Sequence, residues 1–117
     1  MTKAQLERLR RSRLRLEAMA ERMETYRRLA AAGEGEGSEA VEALAAALQE
    51  RMAAWAGEVR EAQRRIDALK DARQRDVLCC RYLNGWSWRQ IGERLGYCPA
   101  WVYRIHRMGL EQLLNMD

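Results

Sequence analysis

The segment from Asp71 to Leu114 constrains the fold most, because two short breaks divide it into three helical stretches. The first stretch is expected over residues 72–83 and ends at Asn84-Gly85, since both residues tolerate a left-handed backbone. Its expected inward positions are Val77, Leu78 and Tyr82. The second break is Gly96, so the last two helices are predicted to meet across a tight turn.

The second stretch begins with a sequence that fits a capping box, in which Ser87 and Gln90 satisfy exposed backbone N–H groups. Its inner face is predicted to be Ile91, Gly92 and Leu95. Gly92 is expected where two helices cross too closely for a larger side chain. This pattern predicts a short helix that packs against the next one.

The third stretch opens with Cys98 as a cap and with Pro99 at a first helical position, where no N–H is needed. Its predicted buried stripe is Val102, Ile105, Gly109, Leu110 and Leu113. The complete order of caps, glycines and apolar positions predicts a helix-turn-helix, a motif that places one helix in a DNA major groove. An ordinary small helical bundle is the alternative.

The outer face of the last helix is predicted to contact DNA. The expected residues there are Pro99, Ala100, Trp101, Tyr103, Arg104 and Arg107. Arg104 suits bidentate pairing with guanine, and Ala100 or Tyr103 suits a thymine methyl group or a phosphate. Arg89 and Arg94 on the preceding helix are expected to contact phosphates and so to set the register on the duplex.

The remaining aromatic and imidazole side chains receive structural interpretations. Trp86 and Trp88 are interpreted as packing residues, whereas Trp101 flanks the core position Val102. His106 is the one histidine and has no cysteine or carboxylate cluster around it, so it is expected at the surface or against a phosphate. We therefore expect no metal site and no cofactor.

Two long helices are predicted before this segment. The first runs from the N-cap Thr2 to about Ala32 and has a recurring apolar face. That face comprises Leu9, Leu16, Met19, Met23, Tyr26 and Ala30. A glycine-rich connection over residues 33–38 follows, with Ser38 as the next cap, and the second helix is expected from about Glu39 to Lys70. Its seam is Val41, Leu44, Leu48, Met52, Trp55, Val59, Ala62, Ile66 and Leu69.

The alternating spacing of three and four residues along this seam is typical of a coiled coil or a helical hairpin. The sequence therefore predicts an all-α chain, with a long antiparallel hairpin over residues 1–70 and a tri-helical helix-turn-helix domain over residues 71–117. The hairpin is interpreted as a scaffold, or as a surface for dimerisation or partner docking. Its apolar surface favours a homodimer or a larger homo-oligomer.

The net charge of +4 suits a nucleic-acid partner and is unevenly distributed. Residues 1–32 hold nine Lys/Arg against four Glu, a balance of +5, whereas residues 71–117 hold seven Lys/Arg against five Asp/Glu, a balance of +2. A single helix-turn-helix is therefore expected to bind DNA weakly. The arginine-rich face of the first helix is interpreted as a solvated face or as a further contact to DNA phosphates.

Other classes of protein fit the sequence poorly. Cys79, Cys80 and Cys98 match neither zinc spacing nor a disulfide framework, so they are interpreted as buried or half-buried thiols in a reducing compartment. The apolar runs are too short for a membrane span, and we expect a cytoplasmic protein associated with the bacterial nucleoid. No phosphate-binding glycine loop or Ser/His/Asp set is present, so an enzyme is not expected.

The segment that contains LNGWSWRQIGERLGYCPAWVYRIHRMGLEQLL resembles region 4 of bacterial sigma-70 factors. The full layout is similar to ArpU/RinA-like late-gene transcriptional regulators of phages and prophages and to related families of unknown function. The resemblance implies sequence-specific binding of duplex DNA by the final helix. Sigma region 4 commonly has Thr or Ser at the cap and then Arg and Glu readers, where this chain has Cys98, Pro99 and Ala100. A base preference different from the −35 element is therefore expected.

The function predicted on these grounds is a phage or prophage transcriptional regulator, with host RNA polymerase as a further partner. Because no segment of the sequence resembles sigma region 2, a regulator that acts beside the host polymerase is expected rather than a sigma factor. Two alternatives stay open. One is a DNA-packaging recognition subunit like a small terminase subunit, and the other is an interaction protein that docks on RNA polymerase.

Overall fold

The structure is a computed structural model that describes residues 1–32 and 37–116, and the described residues contain helices and no strand. Helix α1 spans Lys3–Ala31 and begins with the predicted cap, since Thr2 and Gln5 form a reciprocal capping box. Helix α2 spans Gly37–Asp67. It therefore begins before the expected start at Glu39, with Ser38 inside the helix, and ends before the expected end at Lys70. Residues 33–36 of the predicted glycine-rich connection lie outside the described part.

The two long helices pack antiparallel, as the contacts between them show. Trp55 Nε1 donates a hydrogen bond of 3.2 Å to the Leu9 carbonyl, near the start of α1 and the later half of α2. Further along α1, the Met19 sulfur Sδ accepts a hydrogen bond of 3.6 Å from Arg51 Nη1 on the earlier half of α2. The predicted antiparallel hairpin is thereby confirmed, and α1 with α2 is called the hairpin below.

Helix α3 (Ala72–Leu78) continues directly into a π-helical turn, Cys79–Leu83. Asp71 caps α3 by accepting hydrogen bonds from the backbone N–H groups of Arg73 and Gln74. The π turn ends at Asn84, whose N–H donates to the Cys79 carbonyl at 2.9 Å, and Gly85 follows with a φ of 74°. The helix expected over 72–83 is therefore present, although its last turn is wider than an α-helical one.

Helices α4 (Trp88–Leu95) and α5 (Pro99–Leu114) complete the fold. All five residues of the predicted buried stripe on α5 are buried, as are Val77, Leu78 and Tyr82 on α3 and its π turn. The described part of the chain is thus an all-α fold with a long hairpin followed by a helix-turn-helix region, as predicted.

The base of the hairpin shares a hydrophobic core with the helix-turn-helix region of the same chain. This first core contains Leu6, Leu9, Ala62, Ile66, Leu69, Leu78, Tyr82, Leu83, Leu110 and Leu113. A polar contact reinforces it, because Arg13 Nη1 donates a hydrogen bond of 2.9 Å to the Leu83 carbonyl at the end of the π turn. The core therefore extends across residue 70, where the sequence places a domain boundary. The division of the chain into two domains stays a prediction.

The far half of the hairpin is less well covered. In the first half of α2, the seam residue Leu48 is buried, whereas the seam residue Met52 is 50% exposed. Near the end of α1, Leu29 is 63% exposed. None of the described helices is long and apolar enough to cross a membrane. Oligomerisation through the exposed apolar surface stays a prediction.

Candidate nucleic-acid interface

The geometry of α4 and α5 begins with the cap at Ser87. Its hydroxyl accepts a hydrogen bond from the Gln90 N–H, and the Gln90 side chain accepts one from the Ser87 N–H at 2.9 Å. The predicted capping box is therefore confirmed. It fixes where α4 begins and satisfies backbone donors that the helix itself leaves unpaired.

The turn between α4 and α5 depends on two glycines. Gly96 ends α4 in the left-handed conformation, with a φ of 73°, and the Tyr97 N–H then donates to the Gly92 carbonyl at 3.0 Å. A Cβ on Gly92 would lie 2.9 Å from the Tyr97 carbonyl oxygen and 3.7 Å from Val102. The space at Gly92 is therefore limited mainly by the backbone of the turn, rather than by the crossing helix that the sequence interpretation invoked.

A second core holds this turn against α3. It contains Val77, Cys80, Ile91, Val102 and Ile105, with Trp86, Leu95, Tyr97 and Trp101 packed around it. Since one side of α5 is buried in the two cores, its opposite side is presented to solvent at a fixed orientation. A rigid mounting of this kind is what a DNA-reading helix requires.

Five of the predicted contact residues form one exposed surface, which we call the outer face of α5. It comprises Pro99, Ala100, Tyr103, Arg104 and Arg107. Pro99 is the first residue of the helix, and Tyr103 is 64% exposed. Arg107 lies 3.8 Å from Glu111, in an exposed ion pair that costs little to rearrange. The structure thus brings these residues together, and their contacts with bases stay a prediction.

Trp101 occupies a different position from the other predicted contact residues. It is half-buried and packs against the second core, and the Arg73 guanidinium lies over its ring, 5.4 Å from the centroid. Trp101 is therefore in part a packing residue, and its predicted contact with DNA stays a prediction. Cys98 is the N-cap residue of α5, as predicted, although its side chain makes no capping hydrogen bond. The thiol is exposed, so its interpretation as a buried or half-buried thiol was wrong.

The two predicted phosphate contacts on α4 are both exposed but are held differently. Arg89 forms an exposed ion pair of 3.0 Å with Glu93 on the next turn. The Arg94 guanidinium lies over the Trp86 ring, 4.7 Å from its centroid, which restricts its range of positions. Both side chains are available on the surface of α4, and their contacts with phosphates stay a prediction.

The prediction for His106 was wrong. This side chain is only 6% exposed, and its Nε2 lies 2.7 Å from the Tyr82 hydroxyl in a buried hydrogen bond. Trp88 covers it edge-on with ring centroids 4.6 Å apart, so Trp88 packs on one side while remaining 37% exposed. Burial, together with the charges of Lys3 and Arg81, lowers the pKa of His106 to about 4. The imidazole is therefore neutral at pH 7.

The other two cysteines match their interpretation. Cys80 is buried and Cys79 is half-buried, with Gln63 Nε2 3.5 Å from the Cys79 sulfur. Burial raises the pKa of both thiols, because it disfavours the thiolate. They act as small packing groups in the π turn.

A cleft beside the outer face of α5 contains functional candidates that sequence reasoning missed. It is lined by residues from α1, the π turn, α4 and α5, and its cations are Lys3, Arg10, Arg11, Arg81 and Arg107. Tyr103 and Arg107 belong to the cleft as well as to the outer face. The arginine-rich face of α1 was the available signal, but its partner surface depends on how the hairpin packs.

Residues 67–114 match the family model described as Sigma-70, region 4. The matched segment is a sigma-70 region 4-like helix-turn-helix. It begins at the last residue of α2 and ends with α5, so it includes both helices of the motif and excludes nearly all of the hairpin. No curated protein and no solved structure matches the chain. The match and the observed geometry agree on a DNA-binding type of helix-turn-helix.

Proposed function

We propose that the chain is a sequence-specific DNA-binding transcriptional regulator that reads its target with the outer face of α5. The observation that carries this proposal is the division of α5 into a buried stripe and a continuous exposed face. That exposed face holds Tyr103, Arg104 and Arg107, within the segment that matches sigma-70 region 4. Arginine at this place suits the acceptor pair of guanine, and tyrosine suits a phosphate or a thymine methyl group.

The assignment of α4 follows from the same docking arrangement. When a recognition helix lies in the major groove, the preceding helix crosses the phosphate backbone. Arg89 and Arg94 are exposed on that helix, so we assign them sequence-independent phosphate contacts. The chain is accordingly a binding protein and no catalytic step is assigned to it.

The finer parts of the proposal rest on resemblance. Phage or prophage origin follows from the similarity in layout to late-gene regulators, and host RNA polymerase is proposed as a partner because the matched family is a sigma region. Self-association is proposed because apolar side chains such as Leu29 remain exposed on the hairpin. A ring of eight or more subunits would instead favour a packaging subunit, and polymerase binding without DNA binding would favour a docking protein.

Two substitutions test the reading face. Arg104→Ala is expected to weaken binding to the preferred duplex by about 1–3 kcal/mol and to relax the preference at one base position. Arg89→Ala is expected to weaken binding to all duplexes alike and to reduce the salt slope by about 1. Fluorescence anisotropy with the preferred and a scrambled duplex measures both effects. Arg27→Ala, an exposed arginine near the far end of α1, is the control. Unchanged specificity in Arg104→Ala would contradict the assignment of α5.

A further inference from the structure

We propose that the cleft between α1 and α5 binds a phosphate group of the DNA backbone, so that the hairpin takes part in DNA binding. This inference rests on the proposed function and extends it beyond the helix-turn-helix. The cleft has a volume of about 640 Å³, within the range of about 300–1,000 Å³ usual for ligand sites. The helix-turn-helix and the first three turns of α1 both contribute to its walls.

The charges in the cleft point to an anion. Five cations line it against two carboxylates, Glu7 and Glu111. These carboxylates already have partners, because Lys3 lies 4.0 Å from Glu7 and Arg107 lies 3.8 Å from Glu111. Among the described residues, no carboxylate lies within 4.0 Å of Arg10, Arg11 or Arg81. Three guanidinium groups are therefore available for a phosphate.

Arg81 is held in place for such a contact. Its guanidinium stacks on Trp88, 4.1 Å from the ring centroid, and Nη1 donates a hydrogen bond of 3.1 Å to the Trp86 carbonyl. The stacking and the hydrogen bond fix the plane of the guanidinium, while its other N–H groups can still donate. A planar, prepositioned arginine loses little conformational entropy when it binds a phosphate.

Arg10 lies next to Arg81 and is incompletely satisfied by the protein. Its Nε is buried and has no hydrogen-bond acceptor among the described residues. Burial and the nearby charge of Arg10 also lower the pKa of Arg81, which reflects the repulsion between the two cations. A phosphate oxygen between these two side chains would offset that repulsion.

The position of the cleft favours the DNA backbone as the source of the phosphate. Tyr103 and Arg107 line the cleft and also belong to the outer face of α5. A strand of the duplex that is engaged by this face therefore runs past the mouth of the cleft. A phosphorylated small molecule has the same recognition chemistry, and the experiment below separates the two sources.

The test compares two sets of neighbouring arginines on α1 in the full-length chain. Arg10→Gln/Arg11→Gln removes two cations of the cleft. Arg27→Gln/Arg28→Gln is the control, because it removes the same number of charges from two neighbouring, exposed arginines near the other end of α1 that do not line the cleft. The ion pair that Arg28 forms with Glu24 is exposed and contributes little. Arg10→Lys/Arg11→Lys retains the charges. Circular dichroism checks that every variant is folded.

Binding to the preferred duplex is measured as a function of salt concentration. The double Gln variant is expected to flatten the slope of log K against log salt by about 1, since one phosphate contact is lost, and to bind roughly tenfold more weakly at about 0.1 M salt. The control and the double Lys variant are expected to keep the slope of the unmodified protein. This result would support a backbone phosphate in the cleft.

Calorimetry with pyrophosphate separates the two phosphate sources. An unchanged DNA slope, together with pyrophosphate binding that the double Gln variant loses, would overturn the backbone assignment in favour of a small phosphorylated ligand. An unchanged slope without pyrophosphate binding would overturn the phosphate site and leave the reading role of α5 intact. If the unmodified protein binds no duplex, the proposed function fails, and pyrophosphate binding alone decides whether the cleft holds phosphate.

Discussion

The base and the far end of the hairpin share one heptad-like pattern but differ in burial. At the base, Leu6 and Ile66 are fully buried because α3, the π turn and α5 add a third layer over the two helices. Toward the far end, Tyr26 and Met52 on the predicted apolar faces are still 42% and 50% exposed, since no third layer covers the two helices there. Periodicity therefore predicts which side of a helix faces its partner, while burial depends on what else packs there.

The largest expected effect is the difference in the free energy of unfolding between two leucine truncations on α1, one at the base of the hairpin and one at its far end. Leu6→Ala is expected to destabilise the fold by about 2–5 kcal/mol, because it leaves a cavity in the first core. Leu29→Ala is expected to change the stability by less than about 0.5 kcal/mol. Urea denaturation measures both. Both values are for the monomer at low protein concentration. At high concentration the proposed self-association would cover Leu29, so a larger loss in Leu29→Ala is expected there. An equally small loss at every concentration would contradict self-association through Leu29.

The next prediction concerns the buried imidazole where the hairpin meets α5. The pKa of His106 is about 4 in the folded chain and 6.5 for an imidazole exposed in the unfolded chain. Between these two pH values the unfolded chain therefore binds more protons than the folded chain. Stability is therefore expected to fall by roughly 3 kcal/mol as the pH drops from 6.5 toward 4. Denaturation of the unmodified protein and of His106→Asn across this range measures the contribution.

The comparison with His106→Asn isolates the imidazole from the carboxylates. Hydrogen bonds from Arg65 and Arg73 lower the pKa of Glu61 and Asp71, so their stabilising effect begins to be lost as the pH falls to about 4.5 and below. This loss is equal in both proteins and cancels in the comparison. The variant is expected to show the flatter pH dependence. Identical slopes between pH 6.5 and 4 would mean that His106 is protonated in the folded chain.

The smallest expected effects come from two glycines in helices. Gly92→Ala is expected to destabilise by about 1–3 kcal/mol, because the new Cβ meets the Tyr97 backbone oxygen, which can move only with the turn. Gly57→Ala in α2 meets no atom within 4 Å and is expected to stabilise by up to about 1 kcal/mol. Thermal unfolding measures both changes. A stabilising Gly92→Ala would show that the turn is less tightly closed than described.

Local signals made most of the helix-turn-helix predictable. The capping box of Ser87, the left-handed Gly96 and Pro99 at the first position of α5 depend on neighbours within a few residues, and all three are observed. His106 carried a usable signal that the prediction overlooked. It lies four residues after Val102 and four before Leu110, on the stripe that α5 buries.

The remaining features depend on contacts between distant parts of the chain. The bond from Arg13 to the Leu83 carbonyl joins residues 70 positions apart. The grouping of Arg10 with Arg81 likewise exists only because the base of the hairpin packs on the π turn. No periodicity encodes that docking, and the π turn at Cys79–Leu83 carries no sequence signature that we can identify. The cleft could therefore be found only in the folded chain.

The most direct test of the central claim is selection of bound sequences from a random duplex library, with the intact protein at physiological salt. The account predicts an enriched motif that Arg104→Ala relaxes at one position, and the symmetry and spacing of its half-sites would report how the subunits are arranged. Absence of any enriched sequence, with the protein folded, would contradict the claim that the outer face of α5 reads DNA.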